Sequence, residues 1–154
     1  MNASIAIGNE VPDFTLKDNN NVDVSLSQYR GKKVLMSWHP LAWTPVCTDQ
    51  MRALERNLQR FVKENTIPLG FSVDPQPCKE IWANALKITN IKLLADFWPH
   101  GKVAMDYGIF NDRDGISQRA NFIVDEKGIL KWYKIYPSAE LPDIEEIFDI
   151  LKSI

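Results

Sequence analysis

The residues in this chain whose types and placement could do chemistry are its two cysteines, Cys47 and Cys78. Cys47 follows Thr44-Pro45. A threonine that can cap a helix, followed by a proline suited to the first helical position, marks a helix start. Cys47 therefore falls in a helix's first turn, and Cys78 lies in the first turns of a segment opened by Asp74-Pro75. A helix N-terminus carries about half a positive charge and unpaired N–H groups. A thiol held there is drawn toward its thiolate, which is the nucleophilic form. The plain alternative for either residue is a small buried hydrophobe. His39 adds a Cys–His hydrolase or transferase as a competing chemistry, although no orienting carboxylate or amide can be identified for it.

The elements that must position these residues follow from the apolar pattern. Val34–Trp38 is a short apolar run suited to a buried strand, and Ile67–Val73 is a second. Met51, Leu54, Leu58, Phe61 and Val62 share one face of a 3.6-residue period after Cys47. Ile81, Trp82, Ala85 and Leu86 mark the helix after the second strand. A third apolar run, Ile91–Ala95, precedes a short helical stretch near Val103–Tyr107. Ala120–Val124 and Ile129–Tyr136 flank a turn at 125–128, with Gly128 where a left-handed residue is needed. Leu141, Ile144, Ile147, Phe148 and Leu151 predict a closing amphipathic helix. At the front, Asn19-Asn20-Asn21 separates Phe14–Leu16 from Val22–Leu26, predicting a small N-terminal β-hairpin. Such an order makes an α/β fold with a central mixed β-sheet flanked by helices. If the strands at 34–38 and 67–73 are parallel neighbours, both thiols meet at one rim, at the carboxyl ends of the strands, where open α/β folds place their chemistry.

Size and charge narrow the classes. The chain has 154 residues, 45% apolar and 25% charged, with a formal net charge of −2. That is an ordinary globular composition and predicts a single domain spanning 1–154, with no internal repeat or linker. Near-neutral charge speaks against a nucleic-acid partner, and no stretch approaches the ~20 apolar residues that span a bilayer. Two cysteines are too few for a secreted disulfide framework. Two histidines without close Cys/His spacing make no zinc site, so no metal is expected. No Gly-rich phosphate loop or dinucleotide fingerprint is present, so no cofactor is expected either. Met1–Gly8 is too short and polar for a secretory signal, which makes a soluble, cytoplasmic protein the expectation.

Residues 39–48, His-Pro-Leu-Ala-Trp-Thr-Pro-Val-Cys-Thr, contain Pro40, Thr44 and Cys47 in the spacing Pro-x-x-x-Thr-x-x-Cys. This resembles the peroxidatic loop of the peroxiredoxins (the alkyl hydroperoxide reductase/thiol-specific antioxidant family). Val11–Leu16 resembles that family's N-terminal hairpin, and Ser72-Val73-Asp74 with Trp82 its next strand–helix junction. Arg119–Asp125 resembles the strand bearing its active-site arginine. The likeness implies a thioredoxin-like fold and a thiol-dependent peroxidase that reduces hydrogen peroxide and organic hydroperoxides, without metal or haem. Cys47 would become a sulfenic acid, and Thr44, the backbone N–H groups near Val46 and Cys47, and Arg119 would stabilise the charge on the leaving oxygen. Pro40 would shield the site from water. Each has a plainer role: Thr44 as a cap, Pro40 as a strand end, Arg119 as an exposed arginine. Gln50, one turn past Cys47, stands where the family often has an acidic or polar side chain, and supports the site at most from behind.

The chain departs from the family pattern in two places. His39 stands where an aromatic residue is common before the proline. Neither a C-terminal cysteine nor one five residues after Cys47 is present to resolve the sulfenic acid; Cys78, at the start of the following helix and on the same expected rim, is the candidate intrachain resolving cysteine, with resolution by an external thiol as the alternative. A disulfide needs Cα atoms within about 7 Å, which requires local unwinding. The family also implies a thioredoxin- or glutaredoxin-like reductant meeting the rim near Trp43. It further suggests a homodimer, with Phe97-Trp98-Pro99 and Tyr107–Phe110 as contacts. A peroxide-sensing redox protein using the same cysteine is a further alternative.

Overall fold

The computed structural model describes residues 5–154; Met1–Ser4, half of the segment read above as lacking a secretory signal, lie outside the described residues. Seven strands form one mixed sheet: β1 (Thr15–Lys17), β2 (Asp23–Ser25), β3 (Lys33–Trp38), β4 (Thr66–Ser72), β5 (Lys92–Ala95), β8 (Arg119–Val124) and β9 (Leu130–Tyr136), in the order β2-β1-β5-β4-β3-β8-β9. β3, β4 and β5 run parallel, whereas β8 lies antiparallel to β3, and β9 to β8. β6 (Phe110–Asn111) and β7 (Ile116–Ser117) make a separate two-stranded ribbon that the sequence pattern did not predict. Strands of two residues are too short to show a period.

Alternation along the strands builds a core on each face of the sheet. Val34, Met36 and Trp38 of β3 join Phe71, Leu94 and Phe122 and are covered by the N-terminal hairpin and α4 (Lys102–Asp106). Leu35, Leu93 and Ile123 face the other way, under α1 (Pro45–Arg56), α2 (Leu58–Lys63), α3 (Gln76–Leu86) and α5 (Ile144–Ser153). Gly70 lets α1 approach β4, because a Cβ there would collide with the Met51 sulfur and the Leu93 side chain. Close-packed interiors have no room for that extra atom.

Three expected faces change. The single helix after Cys47 is two helices, since the chain leaves helical geometry at Asn57, whose side-chain amide donates to the carbonyl of Ala53 at 2.8 Å. Val62 is consequently 59% exposed. In α3, Ile81 and Ala85 face solvent, while Lys79, Trp82 and Ala83 are buried. Leu141 precedes α5 and is exposed; Asp143 caps that helix by accepting from the N–H of Glu145 at 2.9 Å. Among the described residues no helix is long and apolar enough to cross a membrane.

Candidate active site

The sheet register brings the thiol rim together. β3 and β4 are parallel with Trp38 opposite Phe71, so the chain leaves both strands at one edge. β8 pairs antiparallel with β3, Trp38 opposite Ala120, and so begins where β3 ends, carrying Arg119 to that edge. There Arg119 is 3% exposed and is therefore a buried group rather than a surface arginine. Its Nη1 donates to Cys47 Sγ at 3.4 Å and to Gln50 Oε1 at 2.7 Å. Nε and Nη2 donate to the carbonyl of Ser138 at 3.1 and 2.7 Å. The fork is fixed from two sides, and one arm is left to face sulfur.

Gln50 does more than the sequence suggested. It is buried one turn beyond Cys47, with its Nε2 donating to Ser37 Oγ at 2.8 Å and to the carbonyl of Trp38 at 3.1 Å. That ties the guanidinium to both α1 and the end of β3. Ser138 was missed entirely; it contributes a backbone carbonyl, a group every residue type carries, so its identity gave no signal.

Cys47 sits in the first turn of α1, with Pro45 at the helix start, and is 1% exposed. Its side chain belongs to the apolar cluster of Met51, Leu54 and Trp82. Thr44 occupies the N-cap position with extended backbone, but its hydroxyl donates to the carbonyl of Leu41 at 2.8 Å and makes no cap bond. The helix's first N–H groups are thereby left free of that side chain. Trp43 turns the loop with φ of 71°, a left-handed conformation unfavourable for a bulky residue, and its ring is exposed. Pro40 is half-buried at the loop's start.

Asp74 anchors the same loop from β4. Its Oδ2 accepts from the N–H of Ala42 at 2.8 Å and from Ser72 Oγ at 2.6 Å. Oδ1 lies 4.0 Å from Cys78 Sγ, near the start of α3. Cys78 is half-buried and packs against the cluster that holds Cys47; both thiols are free.

His39 and Lys79 form a buried pair behind the loop. Both are 0% exposed, with Lys79 Nζ 3.2 Å from His39 Nε2 and the imidazole tilted against Trp82 at 5.2 Å between centroids. Burial holds the His39 imidazolium far below its ordinary range, and the Lys79 and Arg119 charges push the same way. His39 is therefore neutral. Burial also draws Lys79 down to about 7, opposed by the negative charge available at Asp74, Cys78, Cys47 and Asp96. A lysine on the Trp82 face of α3 is legible once the helix is known to start at Gln76. With the apolar phase read from Ile81, it is not. No group of three or more His, Cys, Asp or Glu suited to a metal ion occurs among the described residues.

A mixed sheet with a thiol at a helix start, backed by a buried arginine, defines a thioredoxin-like cysteine enzyme. The family model described as AhpC/TSA matches residues 7–133. Alkyl hydroperoxide reductase E of Mycobacterium tuberculosis is 41% identical over 138 residues, covering 89% of this chain and 90% of that protein. A peroxiredoxin of Thermoplasma volcanium is 30% identical, with 97% and 75% covered. Among solved structures, the reduced 2-Cys peroxiredoxin of Plasmodium vivax superposes with a TM-score of 0.87 at 30% identity, over 96% of this chain and 81% of that one. The chain belongs to the AhpC/TSA family and is a peroxiredoxin.

Proposed function

We propose that this thiol-dependent peroxidase reduces hydroperoxides at Cys47. The observation carrying the assignment is the 3.4 Å contact from Arg119 Nη1 to Cys47 Sγ, made by a guanidinium that Gln50 and Ser138 prevent from turning away. The Cys47 thiolate attacks the terminal peroxide oxygen. An S–O bond forms as the O–O bond breaks, and the alkoxide or hydroxide leaves, takes a proton and departs as alcohol or water. Charge moves from sulfur to the leaving oxygen during this step. Fixed donors aimed at that path stabilise it without having to reorganise, and Arg119 together with the free N–H groups opening α1 supplies them. Thr44 shapes the loop through Leu41, and Pro40 covers its start.

The sulfenic acid on Cys47 is then attacked by the Cys78 thiolate, which forms a disulfide and releases water. A thioredoxin- or glutaredoxin-like dithiol reduces that bond by exchange. Support for Cys78 is its packing against the cluster containing Cys47. One observation favours an external thiol instead: Cys78 Sγ donates to Asp74 Oδ1 at 4.0 Å, a contact that must be given up before the sulfur can reach Cys47. A homodimer is part of the proposal. Phe97 and Trp98 are exposed and free to join an interface, whereas Tyr107 and Ile109 are buried in the protomer.

Intact mass under non-reducing conditions, after one equivalent of hydrogen peroxide on the reduced protein, separates these routes. Loss of about two mass units as monomer, absent in Cys47→Ser and in Cys78→Ser, is expected. A gain of oxygen that needs Cys47 alone assigns resolution to an external thiol. No rapid change of either kind refutes the peroxidase assignment.

A further inference from the structure

Resolution of the sulfenic acid needs movement. Cys47 Sγ is engaged by Arg119 and Cys78 Sγ by Asp74, so an S–S bond of about 2.05 Å forms only when both contacts are given up. The segment carrying Cys78 is held at two ends. Upstream, Asp74 accepts from the N–H of Ala42 at 2.8 Å and from Ser72 Oγ at 2.6 Å. Downstream, Trp82 and Ala83 are fully buried under the sheet's helical face. Between these points lies the first turn of α3, in which Gln76 and Cys78 are half-buried and Pro77 is exposed. Cys78 reaches Cys47 by opening of this turn.

The turn contains one fully buried side chain, and it is a lysine. Lys79, next to Cys78, is 0% exposed, as is His39, whose Nε2 lies 3.2 Å from Lys79 Nζ. The amine carries two or three N–H groups, and a single ring acceptor leaves the rest unmet. Accepting at Nε2 puts the imidazole's own hydrogen on Nδ1, which is buried without a partner. Unmet polar groups are rare in folded interiors and call for a reason. His39 itself is fixed: its N–H donates to the carbonyl of Phe71 at 2.9 Å and its carbonyl accepts from Ser117 Oγ at 3.3 Å. The lysine is therefore the partner that can leave. When the turn opens, both groups regain water, whereas an apolar pair in the same place would lose its burial. The remaining ties of the turn are a 3.0 Å bond from Gln76 Nε2 to the carbonyl of Asn19 and the long Cys78–Asp74 contact. The packing is thus poorest beside the thiol that has to move.

We propose that the Lys79–His39 pair is a built-in weak seam, with Lys79 a positioning residue that lets the first turn of α3 open and deliver Cys78 to the Cys47 sulfenic acid. The proposal rests on Cys78 being the resolving thiol. In that step the Cys78 sulfur displaces hydroxide from the Cys47 sulfenic acid, the thiol proton joins it, and water leaves as the disulfide forms. A sulfenic acid that waits too long meets a second hydroperoxide instead and becomes a sulfinic acid, with water or alcohol released. Ease of opening at Lys79 therefore sets how the enzyme divides between turnover and loss. Local openings of this kind draw on the least well satisfied parts of a fold.

The test is quenched-flow intact mass spectrometry at one fixed pH and several hydrogen peroxide concentrations. Gain of one oxygen reads the first step and scales with peroxide; its conversion to a loss of about two mass units reads the second and does not. The double variant Lys79→Met/His39→Phe replaces the seam with an apolar pair of similar volume, a change that leaves folding intact or strengthens it. Conversion to disulfide should fall about five- to twentyfold, reflecting the unmet polar burial that no longer drives opening, and sulfinic acid should accumulate in excess peroxide. The oxygen-gain rate should stay within about threefold of the parent. His39→Phe alone strands the amine completely and should speed conversion, a reversal of sign that loss of packing alone does not produce. A double variant that converts at or above the parent's rate overturns the proposal, as does an equal slowing of both steps. A parent that gains oxygen and never forms the disulfide refutes Cys78 as the resolving thiol. In that case alkylation of Cys78 by iodoacetamide in the reduced protein still reads the opening. Slower alkylation in the double variant leaves the seam standing without its role in resolution, and an unchanged rate overturns the seam as well.

Discussion

Replacing Arg119 by methionine tests the centre of the proposed chemistry. The guanidinium is buried and makes three hydrogen bonds to protein oxygen, two to Ser138 O and one to Gln50 Oε1, besides the one aimed at Cys47 Sγ. Bonds to a charged group contribute roughly 1.5–3 kcal/mol each. The two on Ser138 share one acceptor, and methionine recovers part of the packing, so a net loss of about 2–4 kcal/mol of stability is expected. The kinetic loss is separate: removing one donor from an oxyanion-type site lowers a rate by about 10²–10³. The assay is stopped-flow tryptophan fluorescence with hydrogen peroxide in excess, since Trp82 packs in the cluster holding Cys47. It should be run at pH 9, above the ordinary thiol value of about 8.5. Arg119→Lys keeps the charge but cannot hold Ser138, Gln50 and sulfur at once, and should fall between the two. A methionine variant that reacts within threefold of the parent at pH 9, while losing rate only at pH 6, would refute the transition-state role and leave Arg119 acting on the thiolate population alone.

Gln50→Leu strands Ser37 Oγ, the carbonyl of Trp38 and one arm of Arg119; urea unfolding should show a loss of about 1–3 kcal/mol, and the peroxide reaction should slow about tenfold as the guanidinium gains freedom. Lys79 predicts a pH-dependent stability. Its folded-state value of about 7 lies below the ordinary 10.5, so between these values the unfolded chain holds a proton that the native chain has released. Stability therefore rises with pH across that window, by up to about 5 kcal/mol if the whole shift is expressed. The difference between parent and Lys79→Met in urea unfolding at pH 7, 8 and 9 should move steadily in the parent's favour. A constant difference would mean that the buried amine does not change its proton in that range.

What was legible in the sequence and what was not divide along a physical line. The placing of both thiols at one edge was conditional on β3 and β4 being parallel neighbours, which the sheet register supplies, whereas the buried strands β3 and β4 and the helix after Thr44-Pro45 follow from runs, periods and helix-start chemistry, all local properties of residue type. The dependence of Arg119 on Ser138 and Gln50 does not, because a carbonyl acceptor is common to every residue and its location is set by β8 and β9 running antiparallel. Helix phase is the intermediate case. Ile81 and Trp82 are adjacent, and an apolar pattern alone cannot decide which of them turns inward. Once α3 begins at Gln76, Trp82 is placed on the sheet side and brings Lys79, three residues earlier, in with it. A charged residue on that face violates the rule by which the face was sought, so the rule hid the residue. The same violation is what makes Lys79 informative. A sequence satisfies local preferences nearly everywhere, and positions that break them without compensation are where function is expected. Lys79 breaks them next to a histidine with an orphaned nitrogen and behind the reactive loop, and a packing role alone would be met better by methionine.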